Sequence, residues 1–236
     1  WNHQFSPKVF GNLTSYYSRY QFQVEAENGT SGNGTNEQFL LRFKSGISDI
    51  AARYDIDIIP SPNHYIKVGA SVINHTYTPG AQTTKISGTT GGNTDTTVGQ
   101  SSIFATETDV YAEDDIKFSE RLKANVGLHL AGFYVRNKFY HSVQPRLAAR
   151  YLLNDKLSAK ASFVQMNQYI NLLTNSSVGL PTDLWVPSTD RVPPQLSRQG
   201  AAGLAYSHDK GYEISVEGYY KTMENIIEYR EGAGFF

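Results

Sequence analysis

The residues whose types could do chemistry in this 236-residue chain are six histidines, the run Glu113-Asp114-Asp115, a glycine-rich stretch at 87–92 and a polar, aromatic segment at 165–190. The first three are not spaced for it. His3, His64, His75, His129, His141 and His208 form no HExxH and no close pair at ligand spacing, so the sequence offers no metal site. Glu113, Asp114 and Asp115 alternate across the two faces of a strand, which suits a solvated face rather than a general acid/base pair. The 87–92 stretch lacks the lysine and the strand-to-helix context of a phosphate loop. The chain therefore reads as a non-enzyme with no cofactor. For ligand contact the candidates are Tyr169, Asn171, Asp183 and Trp185, which bring aromatic surface and hydrogen-bonding groups to one long connection. The competing reading is that Leu172, Leu173, Leu180, Trp185 and Val186 simply pack that connection against its neighbours.

Such groups need a scaffold, and composition points to strands. Sixteen Tyr, twelve Phe and abundant Gly, Asn and Thr favour strands and turns over helices. With a hydrophobic content of 39% and a mean hydropathy of −0.42, nothing resembles an apolar helix of about twenty residues. A membrane β-barrel is still allowed, because only half of each strand would face lipid. The formal net charge of −1 argues against a phosphate-backbone binder, so nucleic acid is not an expected partner. The absence of cysteine excludes disulfide scaffolds, thiolate metal sites and cysteine nucleophiles.

The clearest element is the hairpin over Val110–Tyr134. Leu122, Ala124, Val126, Leu128 and Leu130 alternate with Lys123, Asn125, Gly127, His129 and Ala131, and Val110, Ala112, Ile116 and Phe118 alternate in the same way before the turn at 119–121. A slip of one residue would exchange the two faces, so Leu122 to Leu130 are expected on a lipid face and Lys123, Asn125 and His129 on a lumen face. Further alternating runs over 8–26, 50–58, 66–72, 143–151, 157–163, 201–207 and 214–221 bring the expected total to about nine strands. Pro145 argues for a bulge or a strand end inside one of them.

The expected connections are long at 27–37, 79–106 and 171–198, modest at 137–141, and short at 60–63, 119–121, 154–156 and 208–211. Tight turns at one end and long loops at the other match outer-membrane barrels, with short periplasmic turns and longer external loops. The Gly/Thr-rich 87–100 stretch, with almost no large apolar residue, is expected to be mobile or ordered only by a partner. The rival class is a soluble or cell-surface β-sheet binding or adhesion module, whose strands also alternate. An odd strand count suits a piece of a larger barrel, because bacterial single-chain barrels close with an even number.

Several runs resemble a known family: Trp1-Asn2-His3-Gln4-Phe5-Ser6-Pro7-Lys8, Tyr111-Ala112-Glu113-Asp114-Asp115-Ile116-Lys117, Pro145-Arg146-Leu147, Gln168–Asn175, Leu180–Ser188 and Glu217–Met223. They are similar to the middle of the β-barrel of TonB-dependent outer-membrane receptors, in the group that carries an N-terminal carboxypeptidase-regulatory-like domain. The resemblance spans nearly the whole chain, and the loop through Trp185 is its most specific part. It implies an all-β, antiparallel up-and-down segment of a transmembrane barrel of about 22 strands. It also implies a plug domain and remaining strands outside this chain, and a location in the outer membrane. The implied function is energised import of a scarce ligand, a metal chelate, saccharide or peptide. The implied partners are outer-membrane lipid, that ligand, an inner-membrane energy-coupling complex acting on a missing N-terminal region, and an accessory surface lipoprotein.

Overall fold

The computed structural model describes residues 1–32, 35–88, 93–99, 102–174, 183–209 and 211–228. Among these, alternation and β-branched or aromatic content produce thirteen strands. They are β1 (Asn2–Ser6), β2 (Val9–Gly32), β3 (Thr35–Ser61), β4 (His64–Gly88), β5 (Thr94–Val98), β6 (Ile103–Lys117), β7 (Leu122–Val135), β8 (Lys138–Leu152), β9 (Leu157–Gln168), β10 (Ile170–Thr174), β11 (Asp183–Pro187), β12 (Gln195–Ser207) and β13 (Glu213–Glu224). One antiparallel meander runs β1-β2-β3-β4-β6-β7-β8-β9-β12-β13, with β5 added beside the far end of β4, and β10 and β11 form a separate hairpin. The described sheet is open, with β1 and β13 at its edges.

The nine expected strands are all present, as β2, β3, β4, β6, β7, β8, β9, β12 and β13, and four more join them. β1 escapes notice because only five short, mostly polar residues form it. β5 lies inside the supposed 79–106 loop, where glycines on either side hide a run of threonines and Val98 that suits a strand. Its ladder with β4, Gln82↔Val98 through Ile86↔Thr94, overturns the expectation that 87–100 lacks order of its own, as far as the described residues reach. Within the supposed 27–37 loop, residues 27–32 and 35–37 are also strand, since β2 and β3 pair as far as Gly32↔Thr35. Similarly, the link expected at 137–141 is only the two-residue turn Arg136-Asn137, with φ of 45° and 65°, the left-handed pair that suits a twisted hairpin, and 138–141 belong to β8.

Pro145 causes no bulge. The β7–β8 ladder runs through Leu128↔Pro145, whereas the β8–β9 ladder stops at Arg146↔Val164, so the missing N–H falls where pairing with β9 ends. There the Gln165 side chain donates to the Val143 carbonyl at 2.9 Å, replacing part of the lost ladder.

Strand parity divides the wall into two faces. One carries Val110, Val126, Leu128, Leu130, Val143, Leu147, Phe163 and Leu204, all exposed, with Leu128 at 45%. Exposed aromatics flank this band, Tyr17, Phe104, Tyr134 and Phe139 towards one end and Phe118, Tyr151 and Tyr206 near the tight turns. An apolar band between two aromatic girdles is the lipid surface of a transmembrane barrel. At about 3.3 Å per residue and a tilt near 40°, the fourteen residues of β7 span such a band.

Candidate lumenal functional site

The opposite face is polar, and register sets its constellation. Adjacent rungs place Asp55↔Gly69↔Tyr111↔His129 and Arg53↔Ser71↔Asp109 side by side across β3, β4, β6 and β7. Tyr111 Oη donates to Asp55 Oδ1 at 2.6 Å across the intervening β4, and Arg53 Nη2 donates to the same hydroxyl at 3.0 Å. Arg53 Nε also donates to Asp55 at 2.8 Å, and its guanidinium lies 5.3 Å from the Tyr111 ring centre. Gly69 makes the bridge possible, because a Cβ there would come within 2.5 Å of the Tyr111 ring and 2.6 Å of Asp55 Oδ1. Ser71 Oγ donates to Asp109 at 3.0 Å, and His129 Nε2 lies 3.8 Å from the same carboxylate. Arg53, Ser71, Asp109, Tyr111, His129 and Arg146 line a recess of about 410 Å³. Such a surface can hold polar groups by hydrogen bonds and charge.

Farther from the tight turns this face closes over. His75 is buried, with Nδ1 2.8 Å from Asp49 Oδ1 and Nε2 3.6 Å from Glu107. Around it Tyr77, Ile103, Ala105, Ala131, Phe133, Val135 and Tyr169 form the main core cluster. The covering element is the β10–β11 hairpin, paired from Ile170↔Pro187 to Thr174↔Asp183 and lying against β3 and β4. The described residues of the segment expected as a long loop, 171–174 and 183–198, thus include a hairpin whose β11 packs over the polar face of the wall.

Each expected site residue has a place in this cap. Tyr169, 2% exposed, stacks on Phe133 at 4.8 Å with an interplanar angle of 6°, and its hydroxyl lies 2.8 Å from Ser142 Oγ. Asn171 is buried and accepts from Gln195 Nε2 at 2.7 Å. Trp185 is half-buried, edge-on to Tyr20 at 6.2 Å. Asp183 enters through its backbone, opposite Thr174. Asn171, Asp183 and Trp185 lie on the hairpin and Tyr169 immediately before it, its carbonyl accepting from the Ser188 N–H at 2.7 Å. Asn171 Nδ2, Trp185 Nε1 and Ser188 Oγ are buried without a hydrogen-bond partner among the described residues. Sequence reasoning missed Asp49, His75, Glu107, Asp109, Tyr111, Ser142 and Gln144. Their common signal is parity, since each falls on the same side of its strand as Lys123 and His129.

A meandering wall with an apolar, aromatic-girdled outer face and a charged inner face defines a segment of an outer-membrane β-barrel. The whole chain, residues 1–236, matches the family described as TonB dependent receptor-like, beta-barrel, and the chain belongs to that family. Among solved structures it is similar to the ferripyoverdine receptor of the outer membrane of Pseudomonas aeruginosa, at 13% identity and a TM-score of 0.60 over 95% of this chain and 32% of that one. It is similar to BauA, the ferric preacinetobactin receptor from Acinetobacter baumannii, at 15% identity and a TM-score of 0.59 over 92% of this chain and 35% of that one. It is also similar to the RagAB peptide transporter, at 9% identity and a TM-score of 0.59 over 92% of this chain and 28% of that one. These likenesses are of fold, and the chain spans about a third of the length of these three solved structures. No curated protein matches it.

Proposed function

We propose that this chain is part of the barrel wall of a TonB-dependent importer, and that the β10–β11 hairpin, with the Tyr169 that precedes it, shapes its ligand-binding surface through Tyr169, Asn171, Asp183 and Trp185. The observation that carries this reading is the inward-folded hairpin: it narrows the lumen and brings buried hydrogen-bonding groups to the inner face of the wall. The remaining strands and a plug domain belong to the rest of the protein, and energy comes from the inner-membrane complex acting on an N-terminal region. The ligand is a metal chelate, a saccharide or a peptide, and an accessory surface lipoprotein is a partner. A soluble module accounts poorly for the outer face, whose exposed valines and leucines would be costly in water.

The test uses the full-length receptor in cells, with a labelled ferric siderophore, a labelled oligosaccharide and a labelled peptide as probes. Uptake of one probe that requires the receptor, stops with a protonophore and weakens in Asn171→Ala or Trp185→Ala supports the reading. Equal uptake of all three with and without the receptor refutes it.

A further inference from the structure

The outer face changes character beyond its aromatic girdle. Tyr17↔Ile50↔Asn74↔Thr106↔Tyr134↔Phe139 form one continuous rung across β2, β3, β4, β6, β7 and β8, and Tyr17, Tyr134 and Phe139 in it are exposed. Such a rung marks the edge of the hydrocarbon, here on the side away from the tight turns. The rungs beyond it are Arg19↔Ser48↔Thr76↔Phe104, Gln21↔Gly46↔Thr78 and Gln23↔Lys44. Apart from Phe104, their side chains are hydroxyls, amides and two cations.

These rungs enclose a recess of about 300 Å³, with Tyr17 at its hydrocarbon end and Arg19 and Lys44 farther out. Gly46 keeps it open, because a Cβ there would come 2.6 Å from the Tyr20 carbonyl oxygen and any longer side chain would fill the space. Beside it the β3–β4 ladder shifts register between Gly46↔Thr78 and Lys44↔Ala81, an irregularity that bends the sheet where the recess lies. Arg19 Nη2 donates to Gln21 Oε1 at 2.5 Å, and neither Arg19 nor Lys44 forms an ion pair among the described residues. Glu25, one rung farther out, is engaged by Arg42 at 2.9 Å, and no described carboxylate lines the recess. Two cations among hydroxyl and amide groups are complementary to phosphate carried on a hydroxyl-rich body.

Depth decides where that phosphate comes from. Arg19 stands two residues beyond Tyr17, which is about 5 Å along the membrane normal at a tilt near 40°. The headgroup layer adds about 5–8 Å to each side of the hydrocarbon, so Arg19 lies within it. Lys44, opposite Gln23, is displaced from Arg19 by four residues, about 13 Å along the strand. A headgroup with a single phosphate engages one of the two cations, whereas a saccharide phosphorylated at both ends engages both and turns its hydroxyls to Gln21, Ser48, Thr76 and Thr78. We propose that this recess binds the phosphorylated saccharide headgroup of an outer-leaflet lipid, whose acyl chains run past Tyr17 along the outer face. The inference goes beyond import and rests on the direction of the wall expected from its tight turns, with this end outward.

The experiment uses the full-length receptor in phosphatidylcholine nanodiscs that also contain one probe lipid: bisphosphorylated lipid A, its dephosphorylated form or phosphatidylglycerol. Native mass spectrometry reads the probe retained by the receptor, and a photo-crosslinker at Thr78 reads whether it occupies the recess. Bisphosphorylated lipid A should be retained and captured at Thr78, the dephosphorylated form should not, and phosphatidylglycerol should be retained less. Retention should be lost in Arg19→Gln/Lys44→Gln and kept in Arg19→Lys/Lys44→Arg, with the unfolding midpoint unchanged in both. Excess inorganic phosphate should not displace the lipid. Equal retention in the neutral variant, or loss in both variants, overturns the site, because charge is then not what holds the lipid. Displacement by inorganic phosphate would make it a site for the free anion, and equal retention of phosphatidylglycerol would remove the saccharide lipid as its occupant; either result overturns the proposal. Each of these failures leaves the importer reading intact, since that reading is tested by uptake of a ligand through the lumen.

Discussion

A charge placed on the outer face tests the orientation of the whole wall, and Leu128 is the position for it. It is exposed on that face, and its cross-strand neighbours Ala112 and Pro145 offer an arginine no partner. It lies six residues beyond the start of β7 at Leu122, which is about 20 Å along the strand and about 15 Å along the normal at a tilt near 40°. That depth is close to the middle of an apolar band about 25 Å tall, where an arginine costs about 2–4 kcal/mol. Leu128→Arg in the full-length receptor should therefore lower the urea midpoint for unfolding from phospholipid vesicles. Asn125→Arg, on the inner face, should leave it nearly unchanged. Val126→Arg gives an intermediate case, because Asp114 stands directly opposite on the outer face, already 2.7 Å from His64 Nδ1, and can share its charge with the new arginine. The order of destabilisation should be Leu128→Arg, then Val126→Arg, then Asn125→Arg. Equal losses for Leu128→Arg and Asn125→Arg would refute the assignment of faces.

Gly69→Ala should push a methyl group into the space between Tyr111 and Asp55 and cost about 1–3 kcal/mol by overpacking, read as a lower unfolding midpoint. An unchanged midpoint would mean that the hydrogen bond across β4 does not form. The Arg42 hydrogen bond holds Glu25 below its ordinary range. It therefore supports the β2–β3 extension above about pH 4.5, and that support should fade as pH falls through the depressed value. Spin labels at the cross-strand pair Gln23 and Lys44 should report separation on acidification in the native protein, and no such change in Glu25→Gln. In cells carrying the full-length receptor, Thr97→Cys on β5 should react with an impermeant thiol reagent and Asp155→Cys in the β8–β9 turn should not; the reverse pattern would invert the topology. Phe133→Ala removes the ring beneath Tyr169 and should expose Trp185 to a collisional quencher if that stack anchors the hairpin.

The two-residue period of the sequence determined the all-β class, the nine main strands and the division of β7 into Leu128 and His129 faces, because parity is local and survives without knowledge of any neighbour. It also placed the tight turns at 60–63, 119–121 and 154–156, where Pro, Asn and Ser punctuation is equally local, although the first of them narrows to Pro62-Asn63 between β3 and β4. Register, by contrast, is a property of pairs of strands. Only tertiary structure could set Asp55 across Gly69 from Tyr111, or line up Lys117, Lys123, Arg150 and Lys160 from four separate runs into one rung. The same holds for 169–188, whose Tyr, Asn and Trp suggest binding whether the segment projects outward or folds inward. Its direction was decided by long-range burial, in the Tyr169–Phe133 stack, the Asn171–Gln195 hydrogen bond and the contact of Trp185 with Tyr20. These contacts join residues between 24 and 165 positions apart, beyond the reach of any local pattern.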